Sequence, residues 1–203
     1  NNAVEYYVSY YDYYQPEAYL PATDTYIEKD LAINEEVDRL RLAATSALLS
    51  GRKDVVVVSS VSCIYGMGSP MDFSENIQII KRGQSLDQNV FIRKIVDSLY
   101  VRNDIELTRG HFRVKGENVD IYLAYDEKVV RVNFAWDEIE SITEIDPLTG
   151  YVISHFEEYR IYPANLFMTS KERTQTAIKL IENDLHARLN CYREIGDNAK
   201  ANL

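Results

Sequence analysis

The longest uninterrupted aliphatic run in the chain, Val55 to Val58, follows a stretch whose apolar residues have helical spacing. Asn34 is positioned to cap this helix and Gly51 to end it. The apolar face of the helix would consist of Val37, Leu40, Ala44, Ala47 and Leu48. The uniform β-branched run predicts a strand buried on both faces of a parallel sheet. Helix, short loop and buried strand together predict part of an α/β core of the nucleotide-hydrolase type.

Tyrosines recur near the start of the chain at spacings that suit two different structures. Helical intervals relate Tyr6, Tyr7, Tyr10, Tyr11 and Tyr14. From Tyr11 onward, a period of two fits equally well, and tyrosine favours strands. Pro16 and Pro21 each bias the preceding residue to extended geometry and block a helix interior. We therefore predict a long β-hairpin over residues 11–30, with an irregular tip at residues 16–24.

The pattern changes after the turn-forming segment at residues 66–70, where we place a domain boundary. Two helices are predicted next, over residues 72–81 and 88–101. Short alternating segments joined by turns then predict an antiparallel sheet, and these segments are DIELT, HFRVK, NVDIYLA, VVRVNF and EIESITEID. A long amphipathic helix is predicted from Ser170 to about Ile195.

The predicted fold class is therefore α/β plus α+β. Residues 1–70 would form a partial parallel α/β core with a protruding β-hairpin, and residues 71–166 an antiparallel-sheet α+β domain. Residues 167–203 would form a helix that returns to the first core. The chain opens without a methionine, and we expect it to be a piece of a longer protein.

Charge and cysteine content narrow the function classes. The chain has 22 basic and 32 acidic residues and a formal net charge of -10. This argues against a general electrostatic nucleic-acid binder, though not against local basic patches. Cys63 and Cys191 lack neighbours at metal-ligand spacing, so neither a zinc site nor a disulfide framework is indicated, and a cytoplasmic location without membrane contact is expected. Because no phosphate-binding loop or nucleophile motif occurs, we expect no self-contained active site.

The tyrosine-rich arm has a common explanation and a functional one. Rings that pack a small core are the more frequent case, by roughly two to one from composition. Here the rings lie on both faces of the predicted arm, where Lys29 is the single basic residue among six acids: Glu5, Asp12, Glu17, Asp24, Glu28 and Asp30. Such an arm repels phosphate, so it would engage DNA through bases, which stack on exposed rings for about 1–3 kcal/mol each. We hypothesise that it probes locally opened, damaged DNA.

The stretch YYDYYQPEAYLPATDTYIEKD closely resembles the hairpin motif of the UvrB family, which verifies damage in the excinuclease ABC system of bacterial nucleotide excision repair. The resemblance continues through LRLAATSALL, VVSSVSCIYGMGSP, RNDIELTRGHFRVKGENVDIY, RVNFAWDEIESITEIDPLTG and IYPANLF, and it covers nearly the whole chain. It implies a helicase-like (RecA-like) core and a hairpin that clamps one strand of damaged DNA. The DNA-binding residues it implies are Tyr10, Tyr11, Tyr13, Tyr14, Glu17, Tyr19, Tyr26, Glu28, Lys29 and Arg41.

The resemblance also implies that residues 72–166 bind the damage-recognition protein UvrA. The basic residues that match this surface are Arg102, Arg113, Lys115 and Arg131. Independently, strand alternation predicts that the last three point outward from the sheet, away from the side of Phe112 and Val130. Ordinary solubilising charges would show the same pattern. For the full-length protein the resemblance implies ATP and Mg²⁺ as cofactors, and contact with the incision nuclease UvrC through segments outside this chain.

Two other interpretations compete with this one. The related module of the transcription–repair coupling factor also docks UvrA, but that family lacks the tyrosine hairpin. An unrelated α/β enzyme with an aromatic lid would require catalytic residues, and the sequence offers none that we identify.

Overall fold

A computed structural model describes residues 3–9, 18–20, 25–27, 31–64, 68–168 and 171–194. The chain divides into two compact units, residues 1–168 and residues 169–203. The described strands are β1 Ala3–Tyr7, β2 Ala18–Leu20, β3 Thr25–Ile27, β4 Val55–Ser59, β5 Gln78–Lys81, β6 Val101–Arg102, β7 His111–Lys115, β8 Asn118–Tyr122, β9 Val129–Ala135, β10 Glu138–Ile145, β11 Val152–Phe156 and β12 Glu158–Ile161. The described α-helices are α1 Leu31–Leu49, α2 Pro70–Glu75, α3 Gln88–Asp97 and α4 Lys171–Glu194.

Strands β1 and β4 form a parallel pair, in register from Ala3 opposite Val55 to Tyr7 opposite Ser59. The parallel pairing of the valine run is confirmed. Burial of this run on both faces is wrong, because Val56 and Val58 are each 50% exposed. Helix α1 packs on the pair, and on that side Val57 lies against a small buried cluster. Among the described residues, nothing covers the other face.

Helix α1 begins earlier than the sequence pattern predicts. It starts at Leu31, so the cap predicted at Asn34 is wrong. The residues before Asn34 are Leu, Ala and Ile, which contain no helix breaker, and the helix continues through them. At the other end the prediction is confirmed: the helix stops at Leu49, and Gly51 adopts the left-handed φ of 85° typical of a helix terminus.

The buried face of α1 is only partly the predicted one. Val37 and Ala44 are buried as predicted, but Leu48 is 55% exposed. Arg41 and Ser46 are buried in its place. An arginine on the inner face of a helix requires specific partners, which are described below with the site.

Strands β2 and β3 form an antiparallel pair within the range predicted for the hairpin, with Tyr19 directly opposite Tyr26. The prediction of an irregular tip is wrong for Ala18–Leu20, which is strand. Tyrosine and leucine are compatible with a strand when a partner strand is available. The rest of the predicted hairpin, residues 11–17, 21–24 and 28–30, lies outside the described residues.

The largest sheet has six strands in the order β11-β10-β9-β8-β7-β6. Neighbouring strands are antiparallel except β6 and β7, which are parallel. The predicted α+β character and four of the five predicted strands are confirmed. The fifth, residues 104–108, is not a strand. There the side-chain oxygen of Asn103 accepts hydrogen bonds from the backbone N–H groups of Ile105 and Glu106, which favours a turn over a sheet ladder.

Two helix predictions need correction. The helix predicted over residues 72–81 ends at Glu75, and Gln78–Lys81 is a strand that pairs antiparallel with β12. Ile80 is buried in this pair, so cross-strand packing outweighs the local helical spacing. The helix predicted over residues 88–101 ends at Asp97, and Leu99 adopts a left-handed φ of 67°, which stops the helix before β6.

The main core lies between the six-stranded sheet and helix α3. Phe91 and Ile95 of the helix pack against the sheet residues, which include Phe112, Val132 and Phe134. A second cluster joins α1 to the α+β segment. It consists of Leu42, Phe73, Ala124, Tyr162, Leu166 and Met168. Helix α1 is therefore held by apolar contacts on two sides, one to the parallel strands and one to the α+β domain.

The chain enters and leaves the α+β segment at adjacent points. A Cβ built on Gly68 would lie 2.1 Å from the carbonyl oxygen of Leu166, far inside van der Waals contact. Only glycine fits this close backbone approach. Gly68 therefore has a structural role that its place in a turn-forming segment does not reveal.

The second unit contains α4, within one residue of the predicted helix at each end. None of the described helices combines the length and hydropathy that a membrane crossing requires.

Candidate functional site: the Tyr7–Arg41 cluster and the Asp120 triad

The first candidate site is a buried group at the end of β1, which we term the Tyr7–Arg41 cluster: Tyr7, Val8, Arg41 and Cys63. The guanidinium of Arg41 lies over the Tyr7 ring, 4.5 Å from its centroid. It donates hydrogen bonds to the Tyr7 hydroxyl and to the Val8 carbonyl oxygen, each at 3.2 Å. The Cys63 thiol donates to the Tyr7 carbonyl oxygen at 3.0 Å. Three separate segments thus meet at the end of β1.

The electrostatics of this cluster follow from its burial. Arg41 is 3% exposed and Tyr7 is 6% exposed. Burial raises the pKa of the Tyr7 hydroxyl, and the charge and hydrogen bond of Arg41 only partly oppose this, so Tyr7 stays neutral. A cation on an aromatic face is most strongly attracted where water is excluded. Arg41 is therefore not a solvated arginine on the outer face of its helix.

The residues predicted to bind DNA are described only in part. Tyr10, Tyr11, Tyr13, Tyr14, Glu17, Glu28 and Lys29 lie outside the described residues. Tyr19 and Tyr26 are paired across β2 and β3. Arg41 lies inside the chain with Tyr7, and its predicted contact with DNA stays a prediction. The described structure links Arg41 to the strand that runs toward the predicted hairpin.

The second candidate site is a row of three charged residues across neighbouring strands, which we term the Asp120 triad: Arg113, Asp120 and Arg131. Asp120 on β8 lies directly opposite Arg113 on β7 and Arg131 on β9. Arg131 binds the carboxylate through two bonds, Nε to Oδ1 at 2.6 Å and Nη2 to Oδ2 at 2.9 Å. Arg113 donates to Oδ2 from Nε at 3.0 Å.

The charges in the triad differ in their exposure. The Asp120 side chain is 1% exposed, whereas those of Arg113 and Arg131 are 19% and 27% exposed. Burial by itself raises the pKa of Asp120, but the hydrogen bonds and charges of Arg131 and Arg113 outweigh it and hold the pKa below its usual value. Asp120 is thus a buried carboxylate at neutral pH. The triad carries a net positive charge, because two arginines surround one carboxylate. The two guanidinium groups are partly exposed to solvent, whereas the carboxylate is not.

The other two predicted partner-binding residues lie at different places. Lys115 is exposed, opposite Asn118, and two residues from Arg113 on the same strand, so it shares the face of the triad. Arg102 is beside Phe112 in the register, not beside Arg113, and it pairs with Asp104 at 2.9 Å. The structure therefore brings three of the four predicted residues onto one face of the sheet.

Sequence reasoning missed the acid that organises this face. Asp120 is the single charged residue within the predicted strand NVDIYLA, and its interior position was the available signal. It also missed a link between α1 and the loop before β7, where Arg109 donates to Glu36 at 3.1 Å. Glu36 binds Arg39 as well, and these bonds lower the pKa of Glu36 to about 2. Because Glu36 and Arg109 are 73 residues apart, no local pattern indicates this pair.

Comparison with known proteins agrees with the resemblance in the sequence. Residues 79–167 match the family described as UvrB interaction domain. Over 201 residues, 99% of the chain, it is 67% identical to UvrABC system protein B of Bacteroides fragilis and to that of Bacteroides thetaiotaomicron. It is 52% identical over 196 residues, 96% of the chain, to UvrABC system protein B of Carboxydothermus hydrogenoformans. In each case the chain spans about 30% of the relative's length.

By its fold the described part of the chain is an α+β domain, with the Asp120 triad on one face of its sheet, joined to a parallel pair of strands and helix α1. The match over residues 79–167 makes that α+β domain an interaction domain. With the similarity along almost its whole length, the chain belongs to the UvrB family and corresponds to a segment of those proteins.

Proposed function

We propose that this chain is the part of a UvrB protein that probes DNA and docks its partner in bacterial nucleotide excision repair. In this proposal the α+β domain binds UvrA through the triad face, Arg113, Lys115 and Arg131, with Arg102 at the sheet edge. The tyrosine hairpin contacts DNA. UvrC would be contacted by other parts of the full-length protein.

One observation carries the docking half of the proposal: two arginines are held on either side of one buried aspartate, on a sheet face of a protein whose formal net charge is -10. Solubilising charges normally stay mobile and fully hydrated, whereas Arg113 and Arg131 are ordered by a buried acid. Fixed guanidinium groups are suited to bind carboxylates on a partner surface. The segment that bears them matches an interaction domain.

The parallel pair β1–β4 supports a helicase-like, RecA-like core for the full-length protein. One face of this pair is apolar and open among the described residues: Val4, Tyr6, Val56 and Val58 are each at least half exposed. Parallel strands are normally covered on both faces. Since the chain spans about 30% of its relatives, we propose that other parts of the full-length protein cover this face.

The DNA-binding half rests on the composition of the predicted hairpin and on its described strands. The antiparallel pair β2–β3 lies inside the tyrosine-rich range. Acids outnumber basic residues along this arm, so phosphate contacts from the arm would be unfavourable and stacking on bases is the favoured interaction. Tyr10, Tyr11, Tyr13 and Tyr14 are the rings we assign to this contact, with Tyr19 and Tyr26 farther along.

The docking proposal is tested by charge reversal on the triad face. In the variant Arg113→Glu/Arg131→Glu, we expect the affinity for purified UvrA to fall by about 100-fold or more. The reversed charges would repel an acidic surface on UvrA that the wild-type arginines attract. The measurement is the equilibrium dissociation constant at two salt concentrations.

A matched control is Arg82→Glu, which lies in the same domain, is exposed, and pairs with Glu157 away from the triad. This variant should bind UvrA like the wild type. Undiminished binding by the double reversal would overturn the docking assignment.

A further inference from the structure

Within the proposed docking face, Asp120 differs from its neighbours because it is buried and so is unavailable for direct contact with a partner. We propose that Asp120 is a positioning residue. It holds the guanidinium groups of Arg113 and Arg131 in one fixed arrangement, which binds carboxylates of an acidic protein partner. This inference rests on the docking function proposed above. It assigns a role to a residue that would not touch the partner.

The geometry leaves donors on both arginines for a partner. Each guanidinium has five N–H groups, and each uses Nε and Nη2 on Asp120. The other N–H groups of Arg113 and Arg131 make no hydrogen bond within the described part of the chain. Their side chains are partly exposed. In each guanidinium, Nε and Nη2 are therefore occupied by Asp120, and the remaining N–H groups are available to a partner.

The position of Asp120 on the central strand determines the spacing of the two forks. Arg113 and Arg131 lie on strands either side of β8, so their backbones are about 10 Å apart, twice the normal strand separation. Without Asp120, two like charges at this spacing would repel each other and each would sample several rotamers. With it, both are held toward one carboxylate, and less conformational freedom remains to be lost on binding.

The partner chemistry that fits is an acidic protein surface with two carboxylates at matching separation. Planar forks bind carboxylates in bidentate geometry. Phosphates of a nucleic acid have similar acceptors, but the large net negative charge of the chain disfavours a long polyanion. Binding to a short DNA duplex is therefore measured separately from binding to UvrA.

The decisive variant is Asp120→Asn, because positioning and simple charge attraction predict opposite results. Loss of a negative charge makes the face more positive, so charge attraction alone predicts faster association and tighter binding of UvrA. If Asp120 positions the arginines, binding should weaken by about 10-fold through faster dissociation, because the forks are no longer held. Association and dissociation rates measured at several salt concentrations separate the two. Unchanged or tighter binding would overturn the inference.

The control is Glu157→Gln, which removes an exposed carboxylate that pairs with Arg82, away from the triad. It makes the same charge change without touching the triad, and it should leave dissociation unchanged. A second background tests whether Asp120 acts through the arginines. In Arg113→Gln/Arg131→Gln, adding Asp120→Asn should have no further effect on the UvrA dissociation rate, whereas a general structural role would persist there.

Folding is checked by far-ultraviolet circular dichroism and thermal unfolding. If Asp120→Asn does not fold, Asp120→Glu serves instead: it keeps the charge but displaces the carboxylate, and it should raise the dissociation rate without altering the salt dependence. Wild-type dissociation in that variant would count against positioning.

The outcomes also separate the two proposals. If Arg113→Glu/Arg131→Glu binds UvrA normally, the docking function fails. If that variant loses binding but Asp120→Asn does not, only the positioning role fails. If Asp120→Asn lowers affinity for a short DNA duplex and not for UvrA, the triad holds phosphate and the acidic-protein assignment is wrong.

Discussion

Arg41 lies over the ring of Tyr7, 4.5 Å from the ring centroid, and donates a hydrogen bond to its hydroxyl group. The two residues are 34 positions apart and both are buried. This contact ties helix α1 to the end of β1, immediately before the tyrosine-rich arm. The end of β1 is therefore held by an interaction of a cation with a ring and not only by apolar packing.

The first prediction concerns this contact. Arg41→Lys should lower the free energy of unfolding by about 1–3 kcal/mol, because lysine keeps the charge but lacks the planar fork that both stacks and donates two hydrogen bonds. Urea denaturation followed by circular dichroism measures it. Arg93→Lys makes the same substitution on the exposed side of α3 and should change stability by less than about 0.5 kcal/mol. Equal stability of the two variants would contradict the role assigned to Arg41.

A second prediction follows from the lowered pKa of Asp120. An aspartate in the unfolded chain has a pKa of about 3.9, so below about that pH the unfolded state takes up a proton that the folded state does not. The stability that Asp120 contributes is therefore fully present above this pH, and is lost as the pH falls toward the lower pKa of the folded state.

Urea titrations at pH 5, 4 and 3 test this. Unfolding free energy should decline less steeply with acid in Asp120→Asn than in the wild type, because one proton-binding group is gone. Glu36, with a pKa of about 2, and other carboxylates remain, so some decline persists in both. Parallel curves for the two proteins would show that Asp120 is not ionised and paired in the folded state.

The third prediction concerns the backbone contact of Gly68 with Leu166. Gly68→Ala should lower the unfolding free energy by at least about 2 kcal/mol, because the added methyl group overlaps a carbonyl oxygen that belongs to the backbone. Gly51→Ala is the comparison. Gly51 has open space around it and a left-handed φ of 85°, so alanine there should cost only about 1 kcal/mol of backbone strain. A smaller loss for Gly68→Ala than for Gly51→Ala would refute the steric argument.

The fourth prediction concerns the hairpin. In the full-length protein, Tyr13→Ala/Tyr14→Ala should abolish retention on damaged DNA, because each lost stack removes about 1–3 kcal/mol. Thermal unfolding should be unchanged. Retention is measured as the lifetime of the complex on a duplex with one lesion. Tyr151→Ala, which removes an exposed ring in the α+β domain, should retain DNA normally. If the double variant is retained on damaged DNA as long as the wild type, the proposed probing role is wrong.

Several features of the fold could be read from local pattern. The strand His111–Lys115 alternates strictly between polar and apolar residues, and residues 130–134 do so within the strand Val129–Ala135. Residues 171–194 form the helix α4, as the spacing of their apolar residues predicts. In the two strands local preference and tertiary environment agree, so prediction succeeds. The outward position of Arg113, Lys115 and Arg131 came from the same alternation.

Local pattern failed where a distant segment decides the structure. Gln78–Lys81 is strand because β12 supplies its partner, about 80 residues later. Residues 104–108 alternate like a strand, yet the side chain of Asn103 forms a turn instead. The candidate site shows the same limit, since Asp120 gains its role only when β7 and β9 are placed on either side of it.

Motif and strand period were enough to indicate the family, the α+β character of the second half and the face on which Arg113, Lys115 and Arg131 lie. The packing of Arg41 over a buried tyrosine, the close contact of Gly68 with Leu166 and the binding of two arginines by a buried aspartate are visible only in three dimensions. Burial and ion pairing depend on which distant segments meet, whereas periodicity records only which side of one segment is apolar.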